Sequence, residues 1–312
     1  MTDRRPAASI VMVAKNGIRH LRRSLPVILS QSIDVSYEIV LIDSGSTDGT
    51  VEFVERHAAA DARIRLIQIP PEAFHHARTR NLGADLAKGR YVVFLSGDAV
   101  PVDGRWLAEL LEPLRRHEDP LLAATYARQI PRAGADVVAV CRTGYNYGPD
   151  PRVKGRDLGM SQKERYFFST VSCCVDLERV ARPLFDPTYP VDEDITLSRR
   201  IIDGGLRIAY RPGSVVEHSH DFSGWDLMRR YYDNAVVYQR LGIFGPVSSS
   251  IGGDGRRYWA SSMKVLRRRG IGDFCRFICG FGCSAIGLQL GLHYRWLPGP
   301  VRRALTVYGT TD

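Results

Sequence analysis

The first 115 residues limit this chain most, because short apolar runs there alternate with stretches of helical spacing. Residues 9–14, 38–42, 64–69 and 91–95 are rich in β-branched and aliphatic side chains. The last of these, Tyr-Val-Val-Phe-Leu, is apolar at every position. A strand apolar on both faces needs cover on both faces, as in a buried parallel sheet. Between the runs, residues 18–30 place Leu21, Leu25, Ile28 and Leu29 on one helical face. Residues 51–60, 78–87 and 106–115 read as further helices. Strand–helix alternation with short connections predicts an α/β fold, a doubly wound and mostly parallel central sheet.

Ligands of such sheets collect beyond the carboxyl ends of the strands. Asp43 follows the second run and Asp98 follows the fourth, with Pro101 expected to stop that strand from resuming. Asp98 alone also reads as the cap of a helix starting near Asp103. Asp43 opens Asp-Ser-Gly-Ser-Thr-Asp-Gly, where Gly45 and Gly49 allow close backbone approach to a ligand. No Gly-x-Gly-x-x-Gly and no Gly-x-x-x-x-Gly-Lys-Ser/Thr is present, which argues against dinucleotide enzymes and phosphate-loop ATPases. An Asp carboxylate can instead accept the imide N–H of uracil or thymine. Arg78 and Arg80, at a helix start beside His75 and His76, suit a diphosphate or a solvated basic turn. Asp192, Glu193 and Asp194 open another helix, as caps or as a carboxylate kept ready for base catalysis.

Several of these blocks together resemble inverting glycosyltransferase family 2, with its GT-A fold. They are Asp43-Ser44-Gly45-Ser46-Thr47-Asp48-Gly49-Thr50, Arg80-Asn81-x-Gly83 and the strand ending at Asp98. Others are similar to the rhamnosyltransferase branch that builds bacterial surface polysaccharide: Lys15-Asn16-Gly17, Phe74-x-His76-x-x-Thr79-Arg80-Asn81, Phe94-Leu95-x-x-Asp98-Ala99-x-Pro101 and Tyr126-x-Arg128-Gln129-Ile130-Pro131. The resemblance runs from about residue 9 to about residue 230 and more weakly beyond. Val13 departs from it where the family usually has Pro. Ser96 departs where many relatives carry the first Asp of an Asp-x-Asp metal motif, leaving Asp98 as its acid.

The resemblance implies a nucleotide-sugar held by Asp43, Ser44, Arg78, Arg80, Asn81 and Asp98. It implies a divalent metal, Mg2+ or Mn2+, at Asp98 with His218, or with His220 as the alternative. It places the catalytic base in the Glu193-Asp194 pair, with Asp194 first. Arg199 or Arg200 would order a loop or touch diphosphate. Arg128, Gln129, Asn146, Tyr147, Phe168 and Ser169 would line the acceptor side. The implied reaction inverts the sugar's anomeric carbon. It moves L-rhamnose from dTDP-L-rhamnose, or another sugar from a UDP-sugar, to a lipid-linked saccharide.

Charge separates the two ends of the chain. Residues 256–303 carry ten Lys or Arg and one acid, Asp273, which accounts for the formal net charge of +9. Within them residues 277–292 are apolar, shorter than the roughly 20 residues that span a bilayer. A helical segment lying on an anionic membrane surface is expected. The chain then divides into a catalytic domain, residues 1–224, and a basic helical segment, residues 225–312. Residues 242–255 read as a connection and residues 144–160 as a mobile loop. Cys275, Cys279 and Cys283 share one helix face and read as small core residues, not a metal cluster. The N-terminus lacks a secretory pattern, so a cytoplasmic, peripheral protein at the inner face of the plasma membrane is expected. No nucleic-acid motif accompanies the charge. Two other classes compete: a sugar-phosphate nucleotidyltransferase, whose Gly-rich N-terminal signature is missing, and a membrane-bound binding protein with a dead site, suggested by Ser96.

Overall fold

The computed structural model describes residues 5–117, 119–243 and 249–310. Strands β1 (Ala8–Ala14), β2 (Tyr37–Asp43), β3 (Ile64–Gln68) and β4 (Tyr91–Ser96) alternate with helices α1 (Ile18–Leu29), α2 (Thr50–Ala60) and α3 (His76–Leu86). These strands pair in the order β3-β2-β1-β4, all parallel. Their side chains divide between two cores. Ile10, Met12, Ile39, Leu41, Val93 and Leu95 face one side, and Val11, Val40, Ile42, Val92 and Phe94 face the other. That two-sided burial is why the runs read as continuous apolar sequence.

The sheet continues through β6 (Leu122–Ile130), β8 (Ser172–Asp176) and β9 (Arg207–Glu217), with α4 (Trp106–Arg115), α5 (Val137–Asn146), α6 (Gln162–Tyr166) and α7 (Glu193–Asp203) between strands. β8 enters antiparallel between β4 and β6, and β9 runs parallel to β6. The carboxyl ends of β1, β2, β4, β6 and β9 therefore open on the same edge of the sheet.

Two local expectations change. Pro101 does not end the extended chain, because β5 (Val100–Pro101) pairs with β9. It lies at the end of the strand order, where a missing N–H is tolerated. Residues 144–160 are not simply a loop: α5 reaches Asn146, and β7 (Arg152–Lys154) pairs antiparallel with β9. There Lys154 is buried against the Tyr126 and Phe167 rings, and burial pushes its amine down to about 7.

The C-terminal helices are α8 (Gly224–Arg240), α9 (Ser249–Leu266), α10 (Ile271–Leu292) and α11 (Gly299–Leu305). The expected connection over 242–255 is helical from Ser249, and its residues 244–248 lie outside the described residues. α10 starts earlier than its apolar core, so its 22 residues are long and apolar enough to cross a membrane by length and composition. One face packs on α8 through glycines. A methyl group at Gly287 would lie 2.8 Å from the Met228 carbonyl carbon, and one at Gly291 would lie 2.7 Å from Ala235 Cβ. The opposite face leaves Ile271, Phe274, Ile278 and Ile286 exposed. Cys275 and Cys279 are exposed too, so they are not the core residues expected, because the glycine face makes the packing contact.

Candidate active site

The loops after β1 and β2 are zipped together. Thr47 N–H donates to Asn16 Oδ1 at 2.8 Å, Gly17 N–H to Thr50 Oγ1 at 3.0 Å, and Ile18 N–H to Asp48 Oδ2 at 3.2 Å. Gly45 and Gly49 adopt φ of 85° and 90°, so the turn itself requires glycine. Asp43 is buried, and its carboxylate turns into this loop, accepting N–H bonds from Gly45 and Ser46 and the Ser46 hydroxyl.

Between these loops and the end of β4 lies a cleft of about 360 Å³. Val13, Phe74, Phe94 and Leu95 give it an apolar wall, and Lys15, His20, Ser44, His76, Arg80 and Asp98 give it polar groups. Ser44, Arg80 and Asp98 thus come together in one lining. Arg78 is exposed and is not part of this lining. Asn81 bonds the backbone of Phe185 with both ends of its amide, at 2.8 and 2.9 Å, so it ties α3 to the chain before α7.

Asp98 does not cap α4; Asp103 accepts the Arg105 N–H instead. The Asp98 carboxylate meets both histidines beyond β9, with Oδ2 at 3.6 Å from His218 Nε2 and 3.3 Å from His220 Nε2. One ligand atom from each of the three lies within 4.8 Å of the others. Burial raises the Asp98 carboxyl, but the two imidazoles outweigh it and hold the group well below the usual carboxylate range. Burial, with His218, pushes His220 down to about 4, so its imidazole is neutral near pH 7. His218 and His220, alternatives in the sequence, converge here together.

Behind the triad, His218 Nδ1 lies 2.9 Å from Gln129 Oε1. Gln129 in turn donates to Ser169 Oγ at 2.8 Å and to the Tyr147 hydroxyl. All three are buried, and together they brace His218 from behind. With Nδ1 held at the Gln129 carbonyl, Nε2 is turned toward Asp98. Phe168 is core, packed on Tyr126. Arg128 keeps a buried Nε with no bonded partner, and Asn146 sits half-buried at the end of α5.

The acidic turn of α7 splits into distinct roles. Glu193 is paired with Arg80 at 2.7 Å. Asp194 is half-buried and has no cation pair among the described residues. Burial, then the Glu193 charge, pushes its carboxyl up to about 7. Arg200 orders the preceding loop by donating to the carbonyls of Ala181 and Pro183. Arg199 bonds the Leu241 carbonyl and Asp203. Sequence reasoning missed Gln129's bracing role and two arginines near His220, Arg142 and Arg230. No local pattern marks them, because their partners are distant in sequence.

The profile described as glycosyl transferase family 2 matches residues 9–177. An O-antigen chain rhamnosyltransferase of Salmonella typhimurium, RfbN, is 27% identical over 279 residues, covering 87% of this chain and 85% of the relative. WbaN of Salmonella anatum, named likewise, is 27% identical over 274 residues, covering 87% and 84%. The solved mannosyltransferase PcManGT of Pyrobaculum calidifontis, in complex with GDP-Man and Mn2+, shares the fold at a TM-score of 0.56 and 18% identity, covering 97% and 86%. TarS of S. aureus (1–349) shares it at 0.54 and 12%, covering 90% and 80%. The profile takes in more than half of the 312 residues, including β1 to β4 and the loops that build the cleft. With its GT-A fold, this chain belongs to glycosyltransferase family 2 and is a glycosyltransferase.

Proposed function

We propose that this enzyme transfers L-rhamnose from dTDP-L-rhamnose, with inversion, to a lipid-linked saccharide in the synthesis of a cell-surface polysaccharide. The observation that carries the reading is the convergence of Asp98, which lines the cleft, with His218 and His220. Two imidazole nitrogens and one carboxylate oxygen form a sound donor set for a divalent cation, and they suit Mn2+ better than Mg2+. A cation held there supplies Lewis-acid charge to the leaving diphosphate.

The rest is done by the chain's own groups. Asp194 takes the proton of the acceptor hydroxyl, because a base works best with a pKa near the working pH. Glu193 is the poorer candidate, since its carboxylate is already engaged by Arg80 at 2.7 Å. Arg80 links the cleft to the base turn. The wall of Val13, Phe74, Phe94 and Leu95 suits a sugar that carries a methyl in place of a hydroxymethyl group. The relatives named as rhamnosyltransferases of the O-antigen chain support the same donor.

Residues 1–224 act as the catalytic unit and residues 225–312 hold it against the cytoplasmic face of the membrane. Ile271, Phe274, Ile278, Ile286 and Trp296 are exposed there beside Arg267, Arg268, Arg269, Arg276, Arg295 and Arg303. Apolar anchors ringed by cations fit an anionic lipid surface.

A thermal-shift panel of nucleotide-sugars with Mn2+ tests the donor, because ligands that bind the folded state raise its melting temperature. The largest shift is expected with dTDP-L-rhamnose, less with UDP-sugars and none with GDP-sugars. A UDP-sugar as best ligand would keep the mechanism and replace the donor. A GDP-sugar as best ligand would sink the rhamnosyl assignment.

A further inference from the structure

Phe222 follows the histidine pair, and its ring lies 5.5 Å from that of His220. Two guanidinium groups stack on this ring. Arg142 of α5 lies 5.3 Å from its centroid and Arg230 of α8 lies 5.2 Å. Two cations gathered on one ring repel each other, and a carboxylate ordinarily offsets that. Here Asp221 is taken by Arg132 and Asp136 by Arg276, while Asp226 and Asp233, which flank Arg230 in sequence, accept from Ser223 and from Thr306 and Val307. Among the described residues neither Arg142 nor Arg230 forms an ion pair, and Arg230 donates to the neutral Tyr308 hydroxyl at 3.2 Å.

Of the two arginines expected on the diphosphate, one lines the cleft but is already paired and the other lies outside it. Arg80 is committed to Glu193, and Arg78 is exposed outside the cleft lining. A guanidinium stacked on an aromatic ring has its plane fixed while its N–H edge stays free for a bidentate oxyanion. We propose that Arg142 and Arg230, held on Phe222, form a phosphate clamp beside the metal triad that binds an anion of the diphosphate class. The clamp rests on the proposed glycosyl transfer only for the carrier of that anion, which is the leaving nucleoside diphosphate or the phosphate of a lipid-linked acceptor.

The test uses the full chain with Mn2+ and four probes: inorganic pyrophosphate, dTDP, UDP and a short-chain prenyl diphosphate. Affinities are compared for the parent, Arg142→Met, Arg230→Met, the double variant and the two Lys variants. Pyrophosphate affinity should fall about tenfold to a hundredfold per guanidinium removed, the usual worth of a hydrogen bond to a charged group. The Lys variants should lose less, and Mn2+ affinity should stay at the parent value. A parallel loss for dTDP and UDP assigns the clamp to the donor. A loss limited to pyrophosphate and prenyl diphosphate assigns it to the acceptor. Parental pyrophosphate affinity in the Met variants, or no pyrophosphate binding by the parent, overturns the clamp. Should the double variant fail to fold, the single and Lys variants decide by the same measure. A parent that binds pyrophosphate but no nucleoside diphosphate would sink the donor reading and leave the clamp standing.

Discussion

Gln129 offers the sharpest perturbation of the proposed metal site, because it is buried behind His218 and holds it. Its carbonyl faces His218 Nδ1 at 2.9 Å, and its amide N–H groups donate to Ser169 and Tyr147. Gln129→Leu keeps much of the volume and removes all three bonds. The imidazole is then free to rotate and to change tautomer, so Nε2 no longer stays opposite Asp98. Loss of such an outer partner typically weakens metal affinity about tenfold to a hundredfold, or about 1.4–2.8 kcal/mol. The three abandoned buried groups also cost stability, about 1–3 kcal/mol each where nothing replaces the bond. Gln129→Glu separates the two effects. Its carboxylate still accepts from His218, and the Ser169 and Tyr147 hydroxyls can turn to donate to it. Titrating Mn2+ against each folded variant, with free Mn2+ followed by electron paramagnetic resonance, gives the affinities. The expected order is parent, close to Gln129→Glu, well above Gln129→Leu. A Leu variant that is less stable but binds Mn2+ like the parent would refute the argument and leave Gln129 a packing residue.

Other perturbations give equally direct outcomes. Since the Asp194 carboxyl is raised to about 7, kcat should fall as pH drops through that value, and Asp194→Asn should lower kcat about 10²–10⁴-fold with donor affinity kept. A flat pH–rate profile would remove it as base. The same raised carboxyl binds its proton more tightly folded than unfolded. Its contribution therefore favours folding below the usual carboxylate range and fades as pH rises through about 7, a slope the Asn variant should lack in urea titrations. Gly287→Ala places a methyl 2.8 Å from the Met228 carbonyl carbon, so α8 and α10 must part; a loss of about 1–3 kcal/mol is expected in urea unfolding, and an unchanged midpoint would show that the pair yields freely. Anionic vesicles should bind the protein and shift the fluorescence of exposed Trp296, with salt weakening both; binding to neutral vesicles unaffected by salt would mean that the arginines do not hold it there.

The sequence by itself determined the parallel half of the sheet, because that information is local. A run such as Tyr91–Leu95 buries both faces wherever it lies, and the helical spacing of residues 18–30 needs no distant partner. It also determined which residue types stand just past the strand ends, hence Asp98 and the two histidines, and which open a helix, hence Glu193-Asp194. Tertiary structure alone decided what those residues meet. Nothing in the chain order says that β8 inserts between β4 and β6, or that β9 brings His218 and His220 to Asp98, some 120 residues earlier in sequence. Burial and charge, which are properties of the packed molecule, made Asp194 more basic and tied Glu193 to Arg80. The same packing set Asn81 against the Phe185 backbone and Gln129 behind His218, and left Arg142 and Arg230 on Phe222 with no ion pair among the described residues. Such pairings depend on three-dimensional proximity between α3, α5, α7 and α8, which no spacing along the chain encodes.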